Sequence, residues 1–414
     1  MMRFFAVVLT AVAWACPAAA STFEVEMPPK PGEKYRSANF RLWLPDGVKT
    51  LRAVVVRQHG CGRNGIGHAD DLQWQALAKK HDAALLGTQL TYSGQCGDWC
   101  IPSGGTERAF LDALASFAEQ SKHPELVAAP WAIWGHSGGA IWGCHMADRF
   151  PERVVGVWAR SGAVAEYGKG ALAVPIVFNY GKRESEPKNQ FEAVYKSSIR
   201  AFETYRPQGA LWSLAVDPHS WHDTRNSRNL AARWFDTLLT DRLTKDGAKL
   251  RALGGDADRR RADPKSLAVT PSGDSGDGKS CWLPNEAYAA AWVEYCKSGD
   301  VTDATAPPAP TDLAAVAGPD GVALTWKADA DLESGVKGFA VVRDGKRLAA
   351  HGSPKSKSNP KGLFQTWDFG DEPIPRLPAL RYVDADGKPG AKYEVIQING
   401  ADLESKPTAA TVAK

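Results

Sequence analysis

A chain of 414 residues, 43% hydrophobic and 23% charged, has room for more than one domain at roughly 150 residues each. Its 50 basic and 47 acidic side chains leave a formal charge of +3, too little for a nucleic-acid-binding surface, so no nucleic-acid partner is expected. Beyond the N-terminus no stretch approaches the eighteen or so apolar residues of a membrane span, which excludes an integral membrane protein from the expectations.

Residues 1–20 read as an export signal. Arg3 supplies a positive start, Phe4 to Ala15 is apolar apart from Thr10, and Ala18-Ala19-Ala20 forms a small-residue cleavage site before Ser21. The expected location is secreted or periplasmic. Cys16 leaves with the signal, and Cys61, Cys96, Cys100, Cys144, Cys281 and Cys296 remain, an even set for which disulfides are the expectation in an oxidising compartment. Six cysteines allow 15 complete pairings; Cys281 with Cys296 is the local choice. Zinc is not expected, because Cys96 and Cys100 have no second close pair.

Residues 21–245 are read as one domain, in which strand-like and helix-like segments alternate between Phe40 and Leu243, the pattern of a mostly parallel sheet with helices on both faces. Strands are expected at Phe40–Leu44, Arg52–Gln58, Ala83–Gln89, Pro130–Trp134, Val154–Trp158, Val174–Asn179 and Leu211–Val216. Helices are expected at Asp71–His81, Glu107–Ser121, Gly138–Phe150, Gln190–Tyr205 and Asp223–Leu243. Active sites in such sheets gather beyond the carboxyl ends of the strands. Four of these ends carry suggestive residues. His59-Gly60-Cys61-Gly62 follows the second strand. Gly135-His136-Ser137-Gly138-Gly139 follows the fourth and opens a helix, the form of a nucleophile elbow that makes Ser137 the candidate nucleophile. Gly181-Lys182-Arg183-Glu184, with Glu186 two residues on, follows the sixth; Asp217 to Asp223, with His219 and His222, follows the seventh. The order serine, acid, histidine is the one expected when an elbow recruits partners from later loops. His222 is preferred over His219 as base because it lies at the loop–helix boundary. Among the acids Glu184, Glu186 and Asp217 compete. As metal ligands the two histidines lack further ligands nearby in sequence, so no metal is expected.

Residues 246–305 read as a linker. Asp256 to Asp263 is a mixed-charge run, Pro271 to Lys279 is rich in Ser, Gly and Asp, and Asn285 to Lys297 is one short helix carrying Cys296. Three prolines between Thr302 and Pro310 mark a second boundary. From 306 to 414 short strands (Val322–Trp326, Gly338–Arg343, Leu380–Val383, Lys392–Asn399) around Trp326 suggest an all-β sandwich.

The first region resembles the α/β-hydrolase superfamily in its branch of secreted esterases, polyester depolymerases and feruloyl esterases. The resemblance rests on Gln58-His59-Gly60-Cys61-Gly62, Trp134 to Ala140, Pro151-Glu152-Arg153, and His222-Asp223 with Asn226-Ser227-Arg228. It implies Ser137 as nucleophile, His222 as base, the amides of Cys61 and Gly138 as oxyanion hole, and Glu184 where the family places its acid, by one methylene longer than the commoner Asp. The last region resembles a fibronectin type III module on Leu324-Thr325-Trp326, Gly338 to Gly345 and Tyr393 to Gly400, a module that implies a spacer more than a binding surface. No Gly-x-Gly-x-x-Gly follows a strand and there is no P-loop, so no cofactor is expected. The expected activity is two-step hydrolysis of a carboxylic ester, whether polyester, esterified polysaccharide or small ester. The competing expectation is a secreted binding or adhesion protein on the same scaffold with a disabled site, which predicts an absent triad member; every member has a candidate.

Overall fold

A computed structural model of the chain describes residues 21–187, 189–245, 249–253, 259–271, 278–352, 364–374, 376 and 379–412. The expected signal at 1–20 lies outside the described residues. Eight strands form the central sheet: β1 Ser21–Glu26, β2 Tyr35–Leu44, β3 Ala53–Gln58, β4 Ala83–Tyr92, β5 Trp131–His136, β6 Val154–Arg160, β7 Ile176–Gly181 and β8 Trp212–Asp217. Their order is β1-β2-β4-β3-β5-β6-β7-β8. The β1–β2 and β2–β4 pairs are antiparallel and every later pair is parallel. Strands of the parallel part are buried along nearly their whole length, as Ala53 to Gln58 shows, because helices cover both faces.

The covering helices are α1 Leu72–Lys80, α2 Gly97–Cys100, α3 Thr106–Ser121, α4 Gly138–Arg149, α5 Glu192–Tyr205 and α6 Ser227–Arg242. Asp71 starts α1 by accepting the backbone N–H groups of Gln73 and Trp74. The core is dense in indoles: Trp74, Trp131, Trp134, Trp142, Trp158, Trp212 and Trp234 are all essentially inaccessible. This sheet order, with a serine turn between β5 and α4, is an α/β-hydrolase fold.

The stretch read as a linker is partly built into this core. It carries β9 Arg260–Ala262, β10 Val269–Pro271, β11 Cys281–Leu283 and α7 Glu286–Ser298. Ala262, Cys281, Leu283, Trp292 and Tyr295 belong to the same apolar cluster as the central sheet. Three-residue strands fall below the length at which alternation can be read from sequence. The expected Cys281–Cys296 bridge is absent, and both thiols are free. Cys281 engages Leu214 and Cys296 engages Val216, so they meet β8 at different positions. Cys61 and Cys96 form a disulfide instead.

The C-terminal region has two antiparallel sheets. One contains β12 Thr311–Gly318, β13 Gly321–Lys327 and β18 Arg381–Asp384; the other contains β14 Gly338–Arg343, β15 Lys346–Gly352, β19 Lys392–Ile398 and β20 Thr408–Thr411. They pack over Val322, Leu324, Trp326, Phe339, Val341, Tyr393 and Val395. A small hairpin, β16 Thr366–Trp367 with β17 Pro373–Ile374, leaves these sheets and reaches the rim of the large one.

Candidate active site

Ser137 sits between β5 and α4 with φ +54° and ψ −117°. A non-glycine residue at that φ is strained and persists only where its surroundings enforce it. Here they do. A Cβ on Gly139 would lie 2.5 Å from the carbonyl oxygens of Gln58 and His59, and one on Gly135 would run into the Gly139 carbonyl. The two outer glycines of the pentapeptide are therefore required by close backbone approach. Ser137 itself is half-buried, and α4 begins immediately after it.

His222 is buried on the loop after β8, and its Nδ1 lies 2.5 Å from Oε1 of the buried Glu184, which follows β7. A carboxylate accepts, so Nδ1 carries the hydrogen and Nε2 is left free to accept a proton. Phe191 stacks on the imidazole with centroids 3.6 Å apart and planes 3° from parallel, and Trp221 meets Phe191 edge-on. The neighbour of the serine, His136, donates from Nε2 to the backbone carbonyl of His222 at 2.8 Å. Its ring is 5.0 Å from that of His222, and burial, followed by that ring, holds its pKa well below the usual imidazole range.

The rival residues are otherwise engaged. Glu186 is exposed and pairs with Arg183 at 3.5 Å. Asp217 Oδ1 accepts the backbone N–H groups of His219 and Ser220, closing the turn after β8. His219 is exposed on that turn.

Cys61 and Gly138 are brought together. A Cβ on Gly138 would stand 2.6 Å from Cys61 Sγ and 2.8 Å from Cys96 Sγ, so the disulfide lies directly on the start of α4. Gly60 also lies against the elbow, since its Cβ would be 3.1 Å from His136 Nδ1 and 3.3 Å from Ser137 Cβ. His59 fixes this turn. Its Nε2 accepts the Leu90 N–H at 2.7 Å, so Nδ1 is the protonated nitrogen and donates to the Gly60 carbonyl at 2.5 Å. With that carbonyl held by His59, the trans peptide turns the Cys61 N–H to the opposite side. Burial lowers the His59 pKa to about 4, which keeps the ring neutral and the hydrogen-bond pattern constant near neutral pH.

Sequence reasoning missed Arg160, at the end of β6. Its backbone carbonyl accepts the Ser137 N–H at 2.8 Å. Its buried guanidinium donates to Ser220 Oγ and the Trp221 carbonyl, each at 2.9 Å, and to the Asp223 carbonyl. One residue thus ties the serine turn to the loop that carries His222. A charged residue closing an otherwise apolar strand was the available signal. Among the described residues one group has ligand atoms spaced for a metal ion, Asp303, Asp331 and Glu333, all within 4.8 Å; none of them belongs to the rim around Ser137.

No protein-family model and no curated protein matches the chain. Solved structures do. A poly(3-hydroxybutyrate) depolymerase of Bordetella parapertussis is similar over 54% of this chain and 87% of its own, at 16% identity and a TM-score of 0.37. A ferulic acid esterase is similar over 53% of this chain and 97% of its own, at 14% identity and a TM-score of 0.38. A fluorophosphonate-binding serine hydrolase of Staphylococcus aureus is similar over 54% of this chain and 99% of its own, at 12% identity and a TM-score of 0.38.

Proposed function

We propose that the chain is a secreted serine esterase that cleaves carboxylic esters through an acyl-enzyme. The observation that carries the reading is the buried 2.5 Å contact between His222 Nδ1 and Glu184 in a loop tied to a serine at φ +54°. In this reading His222 Nε2 takes the Ser137 proton as the hydroxyl attacks the ester carbonyl. Glu184 keeps the imidazole in its tautomer and stabilises the cation that forms. The amides of Cys61 and Gly138 receive the oxyanion; loss of one such donor typically costs about a hundred- to a thousandfold in rate. His222 then returns the proton to the leaving alcohol, and water repeats the sequence to free the acid.

The His59-buttressed turn and the Cys61–Cys96 disulfide support this assignment, because an oxyanion hole works only if its donors are fixed before charge develops. A disulfide closing a separation of 35 residues also fits an oxidising compartment and adds roughly 3–4 kcal/mol on the loop-entropy account. Polyesters and esterified polysaccharides are proposed substrates alongside small esters.

The test is Ser137→Ala on short p-nitrophenyl esters, with Glu184→Gln and Glu186→Gln beside it. The serine variant should lose at least about 10⁴-fold in kcat/KM while remaining folded. Glu184→Gln should lose far more than Glu186→Gln. Near-normal turnover by folded Ser137→Ala ends the proposal, and a larger loss at Glu186 moves the acid.

A further inference from the structure

The hairpin of β16 and β17 belongs to the C-terminal region by sequence and to the catalytic rim by contact. Its Phe369 carbonyl accepts both the backbone N–H and the Oγ1 hydroxyl of Thr224, two residues beyond His222, at 3.3 and 3.2 Å. Asp371 enters the interior between two guanidiniums, 2.5 Å from Arg57 Nη2 and 2.9 Å from Arg228 Nε. Asp368 pairs with Arg63 on the turn after β3. Trp367 donates to Asp71 at 2.7 Å, and Gln365 Nε2 donates to the Asp70 carbonyl at 2.9 Å. The hairpin is thus anchored on both sides of residue 369.

What this anchoring holds in place is an apolar ring whose ring neighbours among the described residues are the imidazoles of His136 and His222. Phe369 is 42% exposed, yet its centroid is 5.7 Å from the His136 ring and 6.2 Å from the His222 ring. Exposing an aromatic ring forgoes burial, and among the described residues Phe369 is the one phenylalanine, tyrosine or tryptophan left exposed. A ring held at the rim beside the candidate base is placed for a ligand.

We propose that Phe369 is a specificity-determining residue that receives the alcohol portion of the ester. The inference rests on the Ser137–His222–Glu184 reading and deepens it. In that reaction the alkoxide oxygen departs with the proton delivered by His222, so the alcohol group lies beside the imidazole as the C–O bond breaks. Phe191 already occupies one face of that imidazole, which makes Phe369 the apolar surface next to the departing group. The acyl group stays on Ser137 and is not selected by this ring. Substrates favoured by Phe369 are therefore esters of aromatic or extended apolar alcohols.

The experiment compares two series on the full chain. In one the acyl group is constant, methyl acetate against naphthyl acetate; in the other the alcohol is constant, p-nitrophenyl acetate, butyrate and octanoate. Phe369→Ala should lower kcat/KM for naphthyl acetate roughly tenfold and leave methyl acetate within about twofold. The ranking of acyl chains should not move, and Phe369→Leu should recover part of the loss. Should the alanine variant fold poorly, the leucine variant gives the same comparison. An unchanged naphthyl-to-methyl ratio, or a shift confined to the acyl series, overturns the inference while inactive Ser137→Ala leaves the esterase reading standing. Active Ser137→Ala overturns both.

Discussion

The central sheet and the C-terminal sheets meet through buried charge of opposite sign. On the hydrolase side the guanidiniums of Arg57 and Arg228 are inaccessible, and Arg57 lies 4.1 Å from the ring centres of both Trp74 and Trp134. On the C-terminal side Asp371 supplies a carboxylate to both, Arg228 being paired also with Asp71 on its own side, and Asp368 and Asp329 pair with Arg63 and Lys79 nearer the surface. Lys327 with Asp46 is an exposed pair of reversed polarity. Burial lowers the Arg57 pKa to about 10, so the group stays charged near neutral pH and must be neutralised from outside its own sheet. The difference teaches that the N-terminal half holds the candidate site without holding all the counter-charges of its own interior. A spacer role for the second region, implied by its resemblance to a module used that way, does not account for these contacts.

The contrast is broken most directly by separating rate from stability. Ser137→Ala should abolish turnover and leave the unfolding transition close to that of the parent, since it removes one half-buried hydroxyl and relieves no charge. Asp371→Asn should do the reverse. Removing one partner of a buried ionic group typically costs about 3–5 kcal/mol, here read as a lower denaturant midpoint for the whole chain. Residual activity per folded molecule should stay well above that of Ser137→Ala. If Asp371→Asn left stability unchanged, the two regions would be energetically independent and the comparison would fail.

A smaller effect sharpens the same line within the hydrolase half. Arg160 supports both the serine turn and the His222 loop, so Arg160→Met should lower kcat/KM roughly hundredfold, the usual consequence of a displacement near 1 Å at a reacting group. Arg160→Lys should recover little, because one shorter-headed ammonium cannot reach Asn179, which Nη1 contacts, and the loop groups that Nη2 contacts at the same time. The loss should persist far below the unfolding temperature, which separates misplacement from instability.

The legible parts of this molecule are those whose signals are local. β6 was expected to begin at Val154 and β14 to span Gly338 to Arg343, and both do, because apolar β-branched runs end there in polar or glycine turns. The elbow could be read because strand, turn and helix occupy consecutive residues. The resemblance alone favours Glu184 over Glu186, and in space the two differ by their partners, His222 in one case and Arg183 in the other. β1 escaped the reading, although Ser21 to Glu26 alternates between less and more exposed positions, because none of its side chains is fully buried and it gains its meaning from pairing with β2. The Arg57–Asp371 contact joins positions 314 apart, and no composition or period in either segment announces the other. The disulfide was hidden in the same way, since proximity in sequence favoured the wrong pair.

The weakest expected effect concerns the acidic group of Asp303, Asp331 and Glu333, where the C-terminal sheets meet the chain entering them. Burial first, and then the hydrogen bond and charge of Asp331, push the Glu333 carboxyl up to about 7, with Asp303 acting in the same direction and Arg233 opposing. A folded-state value above the ordinary 4.5 means the native protein holds this proton more tightly than the unfolded chain does. The stabilisation is complete below about pH 4.5 and is lost as pH rises through about 7. Glu333→Gln keeps a neutral side chain throughout, so its denaturant midpoint should match the parent at pH 4.5 and exceed it at pH 8. A difference that is the same at both pH values would mean that the carboxyl ionises there as freely as in water. The C-terminal region would then handle this carboxylate at its edge as it does Asp371, by compensation in place rather than by keeping the proton.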